Sequence, residues 1–328
     1  MACALAALRE YAKDEPQMQF ETQTFRKVIQ SYKKPTLGID LRSLKELLCL
    51  PDAALNLITL ALNKSMSQLV SLNPLLGKPG GWIRTICKTP MIYRMALRTN
   101  TAVPNGEIQN KQPYDSATRG SSALTAALVR NVRAEIASWL KMESAAIFND
   151  YHKFFDTLDI EVLVQEAFNN NFPLQELVLA LMQHLAPRII QVSGCSSRAT
   201  SVFKSILAGC KFSKALTALY LQTHMSTLNE LYKEANLGVF LDDTSMQNIA
   251  RSKREVLSNL LPCMKAFGKA VRQLNLTLSP KAALSASSPE LAKLLGSALS
   301  KIGLKFIISK ITRDLGVTIL QENQDPPN

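Results

Sequence analysis

The sequence lacks the paired cysteines and histidines that mark a structural zinc site or a disulfide framework. None of its six cysteines forms a Cys-x-x-Cys pair, and its three histidines stand far apart along the chain. The residues concerned are Cys3, Cys49, Cys87, Cys195, Cys210, Cys263, His152, His184 and His224. This spacing argues against a zinc site and predicts reduced thiols, as in the cytosol or the nucleus.

Long hydrophobic runs are also missing. The apolar start, Met1–Leu8, is shorter than the apolar region of a signal peptide, and Arg9 and Glu10 follow it directly. No uninterrupted apolar stretch approaches the length of a membrane span. We therefore expect a soluble intracellular protein, nuclear or cytoplasmic, that does not enter a membrane.

Acidic residues are scarce relative to basic ones. The 328 residues include 38 Lys and Arg against 26 Asp and Glu, which gives a net charge of +12. This surplus predicts a polyanionic partner, with nucleic acid first and an anionic membrane surface second. A basic soluble protein with no such partner is the alternative. The hydrophobic content of 47% is typical of a folded globular chain.

Apolar periodicity divides the chain into four ranges without an internal repeat. We expect a lead-in at 1–37, a mostly helical region at 38–140, a mixed helix and strand core at 141–320 and a polar tail at 321–328. Helices are predicted within 41–72 and at 121–140, 160–168, 174–185, 205–235 and 250–273. A proline- and glycine-rich break is predicted at 73–81, and strands at 145–148, 188–192, 274–278, 305–308 and 316–320. In the helix at 121–140, one face is lined by Leu124, Leu128, Val132, Ile136 and Leu140.

Two acidic sites follow apolar segments with strand character. Asp242 and Asp243 come directly after the apolar run 237–241, in a predicted hairpin at 237–247, and Asp150 follows Ala145–Phe148. Adjacent carboxylates after a buried strand are costly unless cations neutralise them. If the two strands are neighbours, the carboxylates converge and form a site for two hard divalent cations. Such a site is used for in-line displacement at phosphorus.

The surroundings of these carboxylates follow a longer pattern. The first segment agrees with aromatic-x-Asp-x-x-Lys-Ala-Phe-Asp at Phe148, Asp150, Lys153, Phe155 and Asp156. Phe154 replaces the Ala of that pattern. The second segment, Phe240–Asp243, has the form aromatic-x-Asp-Asp and lies 242 − 150 = 92 residues downstream. In this order and at this spacing, the segments resemble the palm of a reverse transcriptase, particularly that of non-LTR (LINE-type) retrotransposons.

A third segment between them resembles the family's Gly-Val-x-Gln-Gly-[Ser/Cys]-x-x-Ser-Pro motif. It agrees at Gly209, Cys210 and Ser213. Ala208 replaces the glutamine and Lys214 replaces the proline. A glycine at this position lets a backbone approach a nucleotide closely. A small-residue contact between helices is the alternative for this segment.

Upstream, the segment 76–86 resembles the fingers pattern Lys-Pro-x-Gly-x-x-Arg-Pro-Ile, with Thr85 in place of the second proline. The resemblance places Lys78 and Arg84 on the triphosphate, Lys78 as a point charge and Arg84 as a bidentate fork. A basic surface hairpin is the alternative.

Three further segments show weaker similarity to motifs of the same family, in the order in which the family has them. Arg119, in the segment 117–123, precedes a helix whose N-terminus suits a template phosphate, although a plain cap by Ser121 or Ser122 explains the same residues. Lys281, in the segment 276–281, matches the lysine thought to protonate the leaving pyrophosphate, against the alternative of a solvated lysine. The segment 313–317 resembles the hairpin that grips the primer, or is an ordinary turn.

The resemblance implies an α/β (α+β) right-hand polymerase: a palm with an antiparallel sheet backed by helices at 141–320, and mostly helical fingers at 38–140. It implies RNA-directed DNA synthesis with two Mg²⁺ ions, or Mn²⁺ as a substitute, held by Asp150, Asp242 and Asp243. It makes Lys281 the catalytic acid and Phe155 a steric gate that favours deoxynucleotides, with Gly209 beside the nucleotide. The implied partners are an RNA template, a DNA primer and deoxynucleoside triphosphates.

The departures from the family pattern predict a weakened enzyme. We expect the thumb that would follow the primer-grip-like segment to be missing, and therefore weak, poorly processive synthesis. The second hypothesis is a polymerase-derived nucleic-acid-binding protein that has lost catalysis, motivated by Thr85, Ala208 and Lys214. The third is a helical scaffold without a nucleic-acid role, which accounts for the periodicity but not for the order of the motifs.

Overall fold

A computed structural model describes most of the chain. The described residues are 8, 10, 12, 20–31, 44–64, 71–77, 83–85, 87–99, 112–118, 120–192, 195–309, 311–315 and 317–320.

The described helices are numbered in chain order. They are α1 (Thr22–Ser31), α2 (Leu44–Leu48), α3 (Asp52–Lys64), α4 (Met91–Thr99), α5 (Ala123–Trp139), α6 (Phe154–Thr157), α7 (Ile160–Asn169), α8 (Leu174–His184), α9 (Ser213–Leu231), α10 (Lys253–Gln273) and α11 (Pro289–Lys301). A 3₁₀ turn spans Lys233–Ala235.

The described strands are numbered in the same way. They are β1 (Ser71–Gly77), β2 (Ile83–Thr85), β3 (Glu143–Asn149), β4 (Arg188–Val192), β5 (Cys195–Ser196), β6 (Leu237–Phe240), β7 (Asp243–Ala250), β8 (Ala283–Ala286), β9 (Ile307–Ile308), β10 (Ile311–Asp314) and β11 (Val317–Leu320).

The chain is α/β and divides into two compact units. The first comprises 1–109 and 158–219, and the second comprises 110–157 and 220–328. Each unit has its own sheet.

The first unit contains a four-stranded sheet in the order β2-β1-β4-β5. Strand β1 pairs in parallel with β4 over Ser71–Pro74 and antiparallel with β2 over Leu75–Gly77. The break predicted at 73–81 is therefore wrong at 73–77. Pro74 is tolerated because it lies where pairing passes from one neighbouring strand to the other, so its missing N–H interrupts neither ladder in its interior.

Helices of the first unit bury large apolar side chains. In α1, Phe25 and Ile29 are spaced four apart and are both buried, so the inward face of the helix is the apolar one. In α4, Tyr93, Met95 and Leu97 are almost fully buried. A single-faced surface helix would not bury alternate residues, so α4 is covered on more than one side.

The second unit contains a five-stranded sheet in the order β6-β7-β3-β8-β9. The pairs β6–β7, β7–β3 and β3–β8 are antiparallel, whereas β9 pairs in parallel with β8. The expected purely antiparallel sheet is therefore wrong at this edge. Helix α11 lies between β8 and β9 in the chain, and such a helical crossover returns the chain in the same direction.

Helices α5 and α10 cover opposite faces of this sheet. The Met246 sulfur lies 3.6 Å from the Cys263 thiol of α10, whereas the next residue, Gln247, donates its amide to the Arg130 carbonyl of α5 at 2.9 Å. Successive side chains of a strand point to opposite faces. The face towards α10 is the more apolar one, with Ile147 opposite Met246.

Most elements predicted from periodicity are present. Helices are confirmed within 121–140, 160–168, 174–185 and 250–273, as are the hairpin within 237–247 and the strands at 188–192 and 317–320. The strand predicted at 274–278 is wrong, because that stretch contributes only an isolated bridge from Leu278 to Tyr151. Strand β8 lies further on, at Ala283–Ala286, and the helix predicted at 205–235 begins only at Ser213.

No helix in the described residues combines the length and apolarity needed to cross a membrane. The described cysteines at 49, 87, 195, 210 and 263 are free thiols, in agreement with the absence of a disulfide pattern.

Candidate active site

A cavity of about 630 Å³ opens at one end of the second unit's sheet. Its wall includes all three carboxylates predicted from the sequence, together with Lys281. The other lining residues are Ala123, Arg130, Phe148, Asn149, Phe240, Leu241, Thr244, Ser245, Ala283, Ile307, Ser309 and Leu315.

Strand pairing brings Asp150 beside the Asp-Asp sequence. The β3–β7 ladder ends with Asn149 opposite Thr244, so the same register places Asp150 opposite Asp243 one step beyond it. Phe148 and Ser245 form the pair two residues back, on the same side of the sheet. The side chains of Asp150 and Asp243 are therefore directed to the face that carries Phe148 and Ser245, which both line the cavity.

The turn between β6 and β7 carries Asp242. Phe240 pairs with Asp243, which leaves Leu241 and Asp242 as a two-residue connection. Leu241 has φ 58°, in the left-handed region that favours glycine. A leucine in this conformation costs about 1–2 kcal/mol relative to right-handed backbone. The turn thus holds Asp242 in place at the expense of local strain.

The carboxylates are only partly shielded from water. Asp150 and Asp242 are half-buried and Asp243 is exposed. Among the residues that the structure describes, no group of three or more His, Cys, Asp or Glu side chains could hold a metal ion by itself. Mg²⁺ is usually bound by one or two carboxylates together with substrate phosphates. The donor set of Asp150 and Asp242 fits such a shared site and does not fit an all-protein cage.

Backbone hydrogen bonds fasten the segment that carries Lys281 to the segment that carries Asp150. The Ser279 amide donates to the Asp150 carbonyl at 2.7 Å, and the His152 amide donates to the Thr277 carbonyl at 2.8 Å. The Ser279 hydroxyl then accepts the Lys281 amide at 3.2 Å. Lys281, which is exposed, is thereby held at the rim of the cavity that contains Asp150.

Arg130 is a cationic lining residue that the sequence did not reveal. A Cβ on Gly238 would lie 3.1 Å from an Arg130 guanidinium nitrogen and 2.9 Å from the Ser245 hydroxyl. Only glycine therefore lets the guanidinium approach the β6–β7 hairpin this closely. The helical pattern around Arg130 marks it as a polar position and does not indicate a site.

Buried polar side chains lie behind the strand ends. Tyr151 is 3% exposed, and its hydroxyl lies 3.2 Å from that of Thr244. Burial raises the pKa of Tyr151 above its usual value, the negative charge of Asp242 adds to this, and the Thr244 hydrogen bond opposes it. The neighbouring Asn149 is buried, and neither polar atom of its amide has a hydrogen-bond partner in the described structure.

Phe155, the predicted steric gate, lies in the short helix α6 and is half-buried. Its ring meets that of Phe154 edge-on, with the centroids 5.5 Å apart. Phe155 is not among the described residues that line the cavity.

Gly209 lies in a loop of the first unit that is fastened by buried side chains. Gly209 has φ 101°, a conformation that favours glycine. The Leu207 amide donates to Nδ1 of His184 at 3.0 Å, and Arg188 donates to the Ser205 hydroxyl at 2.9 Å. His184 and Arg188 were not singled out from the sequence, because a lone histidine and a strand arginine carry no motif.

Of the remaining predicted residues, some lie within the described part of the chain and others lie outside it. Arg84 lies in β2 opposite Leu76, and Lys78 and Arg119 lie outside the described residues. Ser122 caps α5 by accepting the Thr125 amide at 3.1 Å, so the plain helix-cap interpretation of that segment holds. At the end of the predicted core, β10 and β11 form a hairpin around Leu315.

No protein-family model matches this chain, and a search of curated proteins finds no significantly similar sequence.

Proposed function

We propose that this chain is an RNA-directed DNA polymerase core of the non-LTR reverse transcriptase type, with a right-hand palm built on the five-stranded sheet. The observation that carries the proposal is the meeting of Asp150, Asp242 and Asp243 in one cavity. Asp150 and Asp242 stand 242 − 150 = 92 residues apart in the chain and are brought together by adjacent strands.

Asp150 and Asp242 would hold two Mg²⁺ or Mn²⁺ ions together with the triphosphate, and Asp243 would support them from the adjoining strand. When bound, the ions would activate the primer 3′-hydroxyl and offset the charge of the departing pyrophosphate. The protein's own contribution is positional, because the β3–β7 ladder and the strained turn at Leu241 fix the carboxylates before substrate binds.

Lys281 would donate a proton to the leaving pyrophosphate. Its ammonium group is exposed at the cavity rim, and the hydrogen bonds of Ser279 limit its distance from Asp150. A lysine is the appropriate residue because its ammonium group carries three N–H donors on a flexible stem.

Nucleotide recognition would use residues of both predicted regions. Phe155 would exclude the ribose 2′-hydroxyl, Gly209 would let the backbone approach the nucleotide, and Lys78 and Arg84 would bind phosphates. These assignments rest on the resemblance of their segments to the family's motifs.

The partners would be an RNA template and a DNA primer, with deoxynucleoside triphosphates as substrates. Within the second unit, residues 256–305 contain seven Lys or Arg and a single carboxylate, Glu290. Along α10, Lys265, Lys269 and Arg272 share one exposed face. Such a distribution favours the phosphate backbone, with binding that weakens as salt rises. The protein would work inside the cell, in the nucleus or the cytoplasm.

A polymerase-derived nucleic-acid-binding protein without catalysis is the second candidate. The replacement of motif residues by Thr85, Ala208 and Lys214 favours it.

Extension of a labelled DNA primer on an RNA template, with Mg²⁺ or Mn²⁺, tests the proposal when binding is measured in the same mixtures. Extension supports the polymerase. Salt-sensitive binding without extension supports the second candidate, and the absence of both contradicts the two together.

A further inference from the structure

Helix α5 has small side chains on its buried face and large apolar side chains on its exposed face, the reverse of an ordinary surface helix. The residues that it buries are small: Ala126, Ala127 and Ala137. Its large apolar side chains face solvent, with exposed fractions of 47–81% for Leu124, Leu128, Val129, Val132, Ile136, Trp139 and Leu140, the last lying at its C-cap. A helix that served only its own unit would direct the larger side chains towards the sheet.

These seven side chains, which we call the α5 stripe, are contiguous along the helix. Together they expose on the order of 800 Å², which is about the area that each partner contributes to a standard stable interface. An apolar patch of this size exceeds what monomeric soluble proteins usually leave in water. Trp139, with 81% of its surface exposed, is of the residue type most enriched at interface hot spots.

The α5 stripe is symmetric about its own centre. Leu124, Leu128, Val132, Ile136 and Leu140 follow one another at intervals of four, so Val132 has two leucine or isoleucine neighbours on each side. Successive members of this row are rotated by about 40° around the helix, so Leu128, Val132 and Ile136 face one direction and Leu124 and Leu140 lie on its two flanks. An antiparallel copy of the row therefore meets it with Leu128 against Ile136 on either side of Val132. A twofold axis through Val132 generates that arrangement, because an isologous interface pairs each residue with its reciprocal partner.

We infer that α5 is a homodimerisation helix, and that the α5 stripe packs antiparallel against the α5 stripe of a second copy of this chain. Rows spaced at four residues interdigitate as ridges in grooves, the packing commonest in globular proteins. The inward alanines leave α5 close to its sheet, so the side chains that remain for association are the outward ones. This inference does not depend on the proposed polymerase activity.

Sedimentation equilibrium of the full chain tests the inference. The expected mass is that of two 36.2 kDa chains, falling to one in the Leu128→Glu, Ile136→Glu double variant, where an antiparallel pair would oppose two carboxylates. The matched control is Leu231→Glu with Leu294→Glu, two exposed leucines outside the α5 stripe, and it should stay dimeric. A monomeric native chain, or a dimeric stripe variant, would overturn the inference.

A charge-pairing variant tests the antiparallel geometry itself. In a Leu128→Glu, Ile136→Lys chain the antiparallel arrangement places opposite charges together at both ends, whereas a parallel arrangement places like charges together. The dimer should therefore return in this variant, and its failure to return would overturn the antiparallel pairing.

Trp139 provides an independent readout. The chain contains two tryptophans, so a Trp82→Phe background leaves Trp139 as the single emitter. Its emission should shift to shorter wavelength as protein concentration rises and should not shift in the double Glu variant. An emission maximum that is independent of concentration in the native background would contradict burial of the α5 stripe by a second copy.

Discussion

The Tyr151 hydroxyl lies 3.2 Å from the Thr244 hydroxyl, and this hydrogen bond joins the residue after Asp150 to the strand that begins at Asp243. The two ends of the predicted catalytic constellation are thus tied together in the interior. Tyr151 packs against Phe154 and Phe267, with ring centroids 5.5 Å and 6.3 Å away, so its position is set by the core as well.

We predict that Tyr151→Phe and Thr244→Val each lower the free energy of unfolding by about 1–2 kcal/mol. Each substitution removes one of the two hydroxyls and leaves the other buried without its hydrogen bond. The double variant should cost less than the sum of the two single variants, by about 1 kcal/mol. Urea unfolding of all four proteins measures this coupling. Additive losses would show that the hydrogen bond contributes nothing to the strand ends.

The left-handed conformation of Leu241 should lower the stability of the fold while it fixes the position of Asp242. Replacing Leu241 by Gly removes a left-handed leucine costing about 1–2 kcal/mol and adds backbone entropy to the unfolded chain worth about 0.5–1 kcal/mol. We expect a net stabilisation of about 0–1.5 kcal/mol, together with slower primer extension because Asp242 is held less firmly.

Lys141→Gly is the control for the turn, since Lys141 is also left-handed, at φ 53°, but is exposed and does not line the cavity. It should gain similar stability without losing activity. Unchanged primer extension in Leu241→Gly would show that the backbone strain at Leu241 does not contribute to the positioning of Asp242.

Arg130 should contribute phosphate binding that sequence patterns did not indicate. A charge-assisted hydrogen bond is worth about 1.5–3 kcal/mol, so Arg130→Ala should raise KM for the triphosphate, or weaken template–primer binding, by about tenfold or more. Turnover at saturation should change less, because the guanidinium is proposed to bind and not to react.

Arg133→Ala is the matched control for Arg130. It lies one turn along α5 and is exposed, with its guanidinium 3.4 Å from the Asn236 side-chain oxygen. It should leave KM unchanged. Equal effects of the two substitutions would indicate a general charge effect and not a specific contact.

His184 should make folding sensitive to acid. Burial, assisted by the positive charge of Arg188, lowers the pKa of His184 to about 3 in the folded chain. Below the unfolded-state pKa of about 6.5 the unfolded chain binds a proton that the folded chain does not. The free energy of unfolding should therefore fall as the pH falls from about 6.5 towards 3.

His184→Asn tests this pH dependence, because an asparagine oxygen can accept the Leu207 amide in place of Nδ1 and does not titrate. Urea unfolding at neutral pH and at about pH 5 should show a smaller loss of stability in the variant than in the native chain. Equal losses would assign the acid sensitivity to other groups.

The sequence predicted long helices and the acidic hairpin well, because their signals are local. Helices α5 and α10 have sustained apolar spacing, and in the hairpin Asp242 and Asp243 directly follow the apolar run 237–241. Strand β8, by contrast, is Ala283–Ala286, which has three small residues, one leucine and no β-branched residue, and it is a strand because β3 and β9 pair with it. That pairing is non-local, and no pattern within the segment announces it.

The candidate site was predictable only in part, for the same reason. Asp150 and Asp242 could be identified because each closely follows an apolar segment, which is a pattern within a few consecutive residues. Arg130 lines the cavity beside Gly238, whose missing side chain leaves room for the guanidinium, and this depends on how α5 crosses the hairpin. The outward direction of the α5 stripe was equally hidden, because periodicity identifies an apolar face but does not say what it packs against.

The most direct test of the account is Mg²⁺-dependent addition of a single deoxynucleotide to a DNA primer on an RNA template by the native chain, Asp242→Asn and Glu234→Gln. Glu234 is an exposed carboxylate of the same unit that does not line the cavity, so its substitution controls for the loss of one charge. We predict addition by the native chain and by Glu234→Gln, and none by Asp242→Asn. Addition that persists in Asp242→Asn, or its absence in a native chain that still binds the template–primer, would contradict the proposal that Asp150 and Asp242 form a working polymerase site.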